Sequence, residues 1–261
     1  MLILFDIDGT LLLSRGAGMQ CFLEAGRELF AREFRRDGMN FGGGLDPLIW
    51  RELCALNGVS EADAREQHDR FRAAYAGNLR ARLAAGTLAY ALPGVPELLA
   101  ALAALAAPAA ATDTATVTNT NTDTDTDTDT AAVRSPVRAA PVVGLLTGNY
   151  PETGELKLRA AGLSMDHFAV AAWGCDGGHR RELLPVALRR FAERTGRDVR
   201  REEVVIIGDT PHDIDCAVAN GCRSLGVATG SHPVEELAAC GATRAVADLS
   251  DTADLLGWLA G

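Results

Sequence analysis

Short apolar runs recur along the chain, each stopped by polar or turn-forming residues. Leu2 to Phe5 is apolar without alternation and runs into Asp6, Asp8 and Gly9, the pattern of a strand buried on both faces of a parallel sheet. Val142 to Leu146, Phe168 to Ala172, Val204 to Ile207 and Ser224 to Ala228 repeat it, and Ala245-Val246-Ala247 is a shorter apolar stretch near the C-terminus. Between these runs the apolar period becomes helical. Helices are predicted from Leu98 to Ala106, Glu152 to Ala161, Glu182 to Arg194, Ile214 to Asn220 and Val234 to Ala239, with a last one over Leu255 to Leu259.

From about residue 16 to residue 85 no strand is predicted. Met19, Phe22, Leu23, Leu29 and Phe30 return at helical spacing. Leu48, Ile49, Leu53 and Leu56 do the same and stop at Asn57-Gly58. Ser60, followed by Glu61 and Asp63, opens a further helix carrying Phe71, Ala74 and Leu79. The alternation of strand and helix predicts an α/β fold: a Rossmann-like parallel sheet with helices on both faces, plus a small α-helical domain inserted after the first strand. The expected boundaries are 1–14 and 86–261 for the α/β part and 15–85 for the helical part.

Residues 107–141 break the pattern with a Pro/Ala stretch, a Thr/Asp/Asn tract and an Arg/Pro/Ala stretch. Asp at every second position repels its neighbours and offers nothing to bury, so a disordered surface insertion is expected.

Composition narrows the function. Of 261 residues, 48 % are apolar and 5 % aromatic, enough for one buried core and a smaller accessory domain. The formal net charge of −10 argues against non-specific nucleic-acid binding and against docking on an anionic membrane. No apolar run is long enough to span a bilayer, and Met1 to Phe5 is too short for a signal-peptide core, so a cytoplasmic protein is expected. The six cysteines form no CxxC pair and no zinc-finger spacing, which fits reduced thiols. Lys157 is the chain's single lysine.

Three polar clusters follow three predicted strands: Asp6-Ile7-Asp8, Thr147-Gly148-Asn149 and Gly208-Asp209. In open α/β sheets ligands bind beyond the carboxyl ends of the strands, so the clusters should meet. Together they can hydrolyse a phosphate monoester. Asp6 or Asp8 can attack phosphorus while the other protonates the leaving oxygen and then activates water. With Asp209 they make a hard oxygen site suited to Mg2+, and Asp213 is an outer ligand or a partner behind it. Thr147, with the Gly148 and Asn149 amides at a helix entrance, can hold the phosphate. A cation should complete the clamp, and Arg180, Arg181 and Lys157 are the candidates in that order.

These segments resemble the haloacid dehalogenase-like superfamily. Asp6-Ile7-Asp8-Gly9-Thr10-Leu11 is similar to its first motif, Leu146-Thr147-Gly148-Asn149 to its second, and Gly208-Asp209-Thr210-Pro211-His212-Asp213 to its fourth. The resemblance is nearest to the phosphoglycolate phosphatase-like branch, with residues 15 to 85 as a helical cap. It implies an aspartyl-phosphate on Asp6 and acid/base work by Asp8. It also implies Mg2+ held by Asp6, the Asp8 backbone carbonyl and Asp209. An acid at Asp8 is what it implies for phosphate-transferring members rather than dehalogenases. The third motif departs from the pattern, reading Gly177-Gly178-His179-Arg180-Arg181-Glu182. A substrate-selecting cap loop is implied at Phe41 to Pro47, with Asp46 in its last position and Gly43 where an arginine is common.

The function expected from the sequence is a phosphatase acting on a small phosphorylated metabolite, as a monomer or homodimer. The alternatives are a phosphoglucomutase-like phosphotransferase and a non-catalytic binding protein of the same fold.

Overall fold

The computed structural model describes residues 1–39, 41–84, 86, 88–106 and 140–261. Strand β1 (Leu2–Phe5) leads into a two-residue strand β2 (Leu12–Leu13). Four helices follow: α1 (Ala17–Phe30), α2 (Asp46–Leu56), α3 (Glu61–Glu66) and α4 (His68–Ala84). Strand β3 (Tyr90–Ala91) then returns antiparallel to β2 at the neck of this helical layer. Beyond it lie α5 (Val95–Ala106), β4 (Val142–Leu146), α6 (Pro151–Ala160), β5 (Val170–Ala172), α7 (Leu183–Thr195) and β6 (Val204–Gly208). The chain closes with α8 (Pro211–Ala219), β7 (Arg223–Val227), α9 (Val234–Ala239), β8 (Arg244–Val246) and α10 (Thr252–Ala260). Of the expected insertion at 107–141, only residues 140 and 141 are among those described.

The sheet is parallel throughout, in the order β5-β4-β1-β6-β7-β8. Its strands read as continuous apolar runs because both faces are covered. Ile3 and Phe5 of β1, with Val205 and Ile207 of β6, pack against Leu98, Leu99 and Leu102 of α5 and Leu255 and Leu259 of α10. Leu2, Leu4, Val204 and Ile206 face the other way, onto Leu183, Leu184 and Phe191 of α7 and Cys216 and Ala217 of α8. Each such side chain contributes about 1.5–3 kcal/mol by leaving water.

The helical layer has a core of its own, built on aromatic rings. Trp50 of α2 stacks on Phe71 of α4 with centroids 3.8 Å apart, and Phe22, Phe34 and Tyr75 pack around them. Tyr150, from the loop before α6, joins this cluster and couples the layer to the sheet. No helix among the described residues is long and apolar enough to cross a membrane.

The structure departs from the predicted elements in a few places. The helix expected from Ser60 onward is interrupted at Gln67, between α3 and α4. Trp50 Nε1 donates to Ala64 O at 2.9 Å, taking the carbonyl that an unbroken helix would offer to residue 68. Helix α8 starts at Pro211, three residues before the predicted start. Thr210 and Asp213 form a capping box there, and Pro211 brings the fixed φ of a first helical position. Strand β5 is short, preceded by a 3-10 turn at Met165–His167.

Candidate active site

Strand β1 is paired on one side with β4 and on the other with β6, with Phe5 level with Leu145 and Ile207. The carboxyl ends of these three strands therefore open side by side, and the polar clusters that follow them meet. The sheet order switches direction at β1, where the crossovers lead to opposite sides and leave a crevice. Asp6 extends the ladder by donating its amide to Ile207 O at 2.9 Å, which holds its Cα rigidly at the strand end.

Asp6 is 5 % exposed. Burial pushes its carboxyl up to about 6, against the pull of the Arg180 guanidinium, whose Nη2 lies 3.0 Å from Asp6 Oδ1. Arg180 is itself buried. The same Nη2 lies 2.5 Å from Asp213 Oδ1 and donates to Leu146 O at 3.4 Å. Its Nε is buried with no hydrogen-bond partner among the described residues. Arg181, the next residue, points outward and pairs with Asp215 at the surface. A 3-10 turn over Arg180–Glu182 gives the two arginines opposite environments.

Asp8 lies beyond β1 in the turn, and its surroundings differ from those of Asp6. Its side chain is 41 % exposed, and its Oδ2 accepts from Lys157 Nζ at 2.6 Å and from Asn149 Nδ2 at 2.9 Å. Lys157, on α6, is therefore paired with Asp8 and not with Asp6. Asn149 Nδ2 also donates to Thr147 Oγ1 at 2.9 Å, and the Asn149 amide donates to that oxygen at 3.4 Å. The Thr147 hydroxyl also draws the Asp6 carboxyl down, against its burial.

Asp209 is buried beside Asp6. Burial, with the carboxylates of Asp213 and Asp6 adding to it, pushes Asp209 up to about 8. Thr10 Oγ1 donates to Asp209 Oδ1 at 3.2 Å. Gly9 has φ +80°, and a Cβ there would lie 2.3 Å from Asp209 Oδ2. A Cβ at Gly230 would lie 1.8 Å from the same oxygen, so only glycine fits on either side of this carboxylate.

Asp6, Asp209 and Asp213 each bring a carboxylate oxygen within 4.8 Å of one another. Three crowded, buried carboxylates, two of them pushed toward neutrality, are a donor set that a hard divalent cation satisfies, and Mg2+ fits it. Asp213 is partly committed elsewhere. Besides Arg180 it accepts from Thr210 N at 3.1 Å and Thr210 Oγ1 at 2.7 Å, which places it behind the other two. The Asp8 carboxylate is not in this set.

The loop ahead of α2 closes over the site. Gly43 O accepts from Arg180 Nη1 at 3.2 Å. Gly43 has φ +70°, and a Cβ there would lie 2.6 Å from the His212 ring and 2.7 Å from Thr210 Oγ1, so the side chains at the start of α8 leave no room for an arginine at this position. Asp46 donates its amide to Gly148 O at 2.8 Å, and its Oδ2 accepts from the Tyr150 amide at 2.9 Å. Burial pushes the Asp46 carboxyl up to about 7, with Lys157 working against it. The cavity at the site is partly open to solvent and measures about 310 Å3. Asp6, Asp8, Lys157, Arg180 and Asp209 line it, together with Met19, Phe22, Phe41, Ile49 and Tyr75.

Sequence reasoning did not single out Thr10, Tyr75 or the pairing of Lys157 with Asp8. Thr10 carried a signal, since a hydroxyl directly after the Asp-Gly turn can only reach groups at the strand ends. The Lys157 pairing did not, because it depends on how α6 is seated. Side chains on a helix lean toward its N-terminus, and a lysine stem spans the remaining turn to reach the site.

Comparisons with known proteins bear on the fold and on residues 179–252. Residues 179–252, which carry Arg180, Asp209 and Asp213, match a family model described as HAD-hydrolase-like. Among curated proteins, none matches this chain. Solved structures resemble it over nearly their whole length. A hydrolase from Pseudomonas syringae is 21 % identical, covers 98 % of this chain and 97 % of its own, and has a TM-score of 0.61. A haloacid dehalogenase-like family hydrolase from Streptococcus pneumoniae is 14 % identical, with 98 % and 97 % covered and a TM-score of 0.59. CbbY from Rhodobacter sphaeroides, solved in complex with phosphate, is 19 % identical, with 96 % and 95 % covered and a TM-score of 0.62. At these identities the likeness is one of architecture. The chain has the fold of the haloacid dehalogenase-like hydrolases, and over residues 179–252 its sequence matches their family model.

Proposed function

We propose that this chain is a Mg2+-dependent phosphatase that hydrolyses a phosphate monoester of a small soluble metabolite through an aspartyl-phosphate on Asp6. The observation that carries this reading is the unequal setting of two aspartates two residues apart. Asp6 is buried against Arg180, whereas Asp8 stands half-exposed at the cavity, held by Lys157 and Asn149. One is positioned to attack and the other to exchange protons.

An Asp6 carboxylate oxygen attacks phosphorus while the bond from phosphorus to the ester oxygen breaks. Asp8 gives its proton to the departing oxygen, so the alcohol leaves neutral. Asp8, now ionised, takes a proton from water, whose oxygen attacks the phosphorus of the aspartyl-phosphate. Inorganic phosphate leaves, and Asp6 is restored. Arg180, Thr147 and the amides of Gly148 and Asn149 orient the phosphoryl oxygens and offset their charge. Asp6, Asp209 and the Asp8 backbone carbonyl would hold Mg2+, with Asp213 behind them; the ion would screen the repulsion between the Asp6 carboxylate and the phosphate. The loop at Phe41 to Pro47 and the apolar side chains lining the cavity would receive the leaving group.

Phosphate release from a panel of small monoesters, with and without Mg2+, tests the reading. Release that needs Mg2+ and falls at least ~1000-fold in Asp6→Asn is expected, the scale seen when a nucleophile is removed. Conversion of a sugar phosphate to its isomer without phosphate release would assign a phosphotransferase instead. No turnover of any kind by the folded, Mg2+-loaded protein would leave a binding role.

A further inference from the structure

Lys157 is 5 % exposed, and a buried ammonium is costly unless its donors are met. Two of them are, by Asp8 Oδ2 and Asn149 Oδ1, each at 2.6 Å. Burial works to lower its pKa, but Asp8 and Asp46 outweigh that and hold it above its ordinary value. The pairing also fixes the Asn149 amide. Lysine only donates, so Asn149 must turn Oδ1 toward it and Nδ2 toward Asp8 and Thr147. The result is a closed ring in which Lys157 and Asn149 brace each other and both hold the same oxygen of Asp8.

Asp8 needs this bracing. It lies past the end of β1, where its backbone keeps a bridge to Leu12, but its side chain is 41 % exposed and is held by these donors. With Oδ2 taken by two donors, Oδ1 is the oxygen left to face a bound ester. The fold makes room for the arrangement at Gly18 of α1, directly above, where a Cβ would lie 3.3 Å from both Lys157 Cε and Nζ.

We propose that Lys157 is a positioning residue that locks the Asp8 carboxylate so that Oδ1 meets the departing oxygen. It acts through Asp8 and not on the phosphoryl group, which belongs to Arg180. This assignment rests on the phosphatase reading above. It makes the chain a two-cation site with divided work, one cation on the attacking carboxylate and one on the proton-exchanging carboxylate.

The test compares esters that differ in how much their leaving group needs a proton. A nitrophenolate leaves readily as an anion, whereas an alkoxide does not. Single-turnover phosphorylation of the enzyme by p-nitrophenyl phosphate and by an alkyl phosphate such as glycerol 2-phosphate is measured for the native chain, Lys157→Met, Asp8→Asn and the double variant. Lys157→Met is expected to slow the alkyl ester at least ~10-fold more than the aryl ester. In the Asp8→Asn background its further effect should be under ~3-fold, because residues acting as one unit are not additive. Equal losses on both esters, or full additivity with Asp8→Asn, would place Lys157 on the phosphoryl group and overturn the proposal. Lys157→Gln removes the charge but keeps a neutral amide donor on a stem one atom shorter, and carries the same comparison if Lys157→Met fails to fold. Failure of both variants to fold would make the residue structural and also overturn it. If the native chain phosphorylates from neither ester, the phosphatase reading has failed, and not this assignment alone.

Discussion

Tyr150 gives its backbone amide to Asp46 Oδ2 at 2.9 Å, joining the first residue of α2 to the loop that carries Thr147 and Asn149. The carboxyl that receives this bond is 9 % exposed and pushed up to about 7, chiefly by burial. A carboxyl raised in the folded state holds its proton there at pH values where the unfolded chain has lost it. Its contribution to stability is therefore full below the ordinary value of 3.8 and is lost as pH rises through about 7.

Asp46→Asn keeps an acceptor for the Tyr150 amide and removes the titration. Thermal unfolding in EDTA should show the variant gaining on the native chain between pH 5 and pH 8. The gain should be at least ~2 °C, on a scale of roughly 2–4 °C per kcal/mol for a chain of about this size. A difference that does not change with pH would mean that Asp46 is ionised throughout.

The two neighbouring arginines should separate sharply in stability. Arg180→Met leaves Asp6 and Asp213 buried without their shared cation, and breaking a buried pair costs about 3–5 kcal/mol. Arg181→Met removes an exposed, solvent-screened pair with Asp215 and should leave stability nearly unchanged. Urea unfolding of both variants checks the contrast, and comparable losses would contradict the placement of Arg180.

Gly148→Ala should disable the site without unfolding the protein. Its Cβ would fall 1.8 Å from Gly44 O, so the loop at Phe41 to Pro47 could not keep its seat. Expected are a loss of at least ~10-fold in kcat/KM and faster proteolysis within residues 31–45. Gly77→Ala, in the exposed middle of α4 with nothing near the added carbon, is the control and should stabilise by roughly 0.5–1 kcal/mol. Unchanged proteolysis in Gly148→Ala would show that the loop tolerates displacement.

The parts of this site legible in the sequence are those set by local rules. Leu2 to Phe5, Val142 to Leu146 and Val204 to Ile207 announce themselves as buried strands, and the polar residues after each must lie at one edge of a parallel sheet. The ribbon of β2 and β3 is invisible because two residues carry no period. The roles of Arg180, Arg181 and Lys157 could not be separated from spacing alone. Which arginine turns inward depends on a 3-10 turn, and the reach of Lys157 depends on the seating of α6. Asp46 shows the same limit, since nothing in its neighbours announces that Tyr150, far along the chain, will donate to it.

The central position of β1 also sets an order of assembly. Leu2 pairs with Val142 on one side and Val204 on the other, so both partners of this strand are made long after it leaves the ribosome. Until then the most apolar strand of the sheet has two open edges, the condition under which nascent chains aggregate or engage chaperones. Asp6 precedes Asp209 and Asp213 by about two hundred residues, so the three carboxylates can meet only after β6 has been made. A chain stopped before β6 would therefore keep an open edge of β1 and lack the carboxylate cluster, an adhesive species with no assembled site.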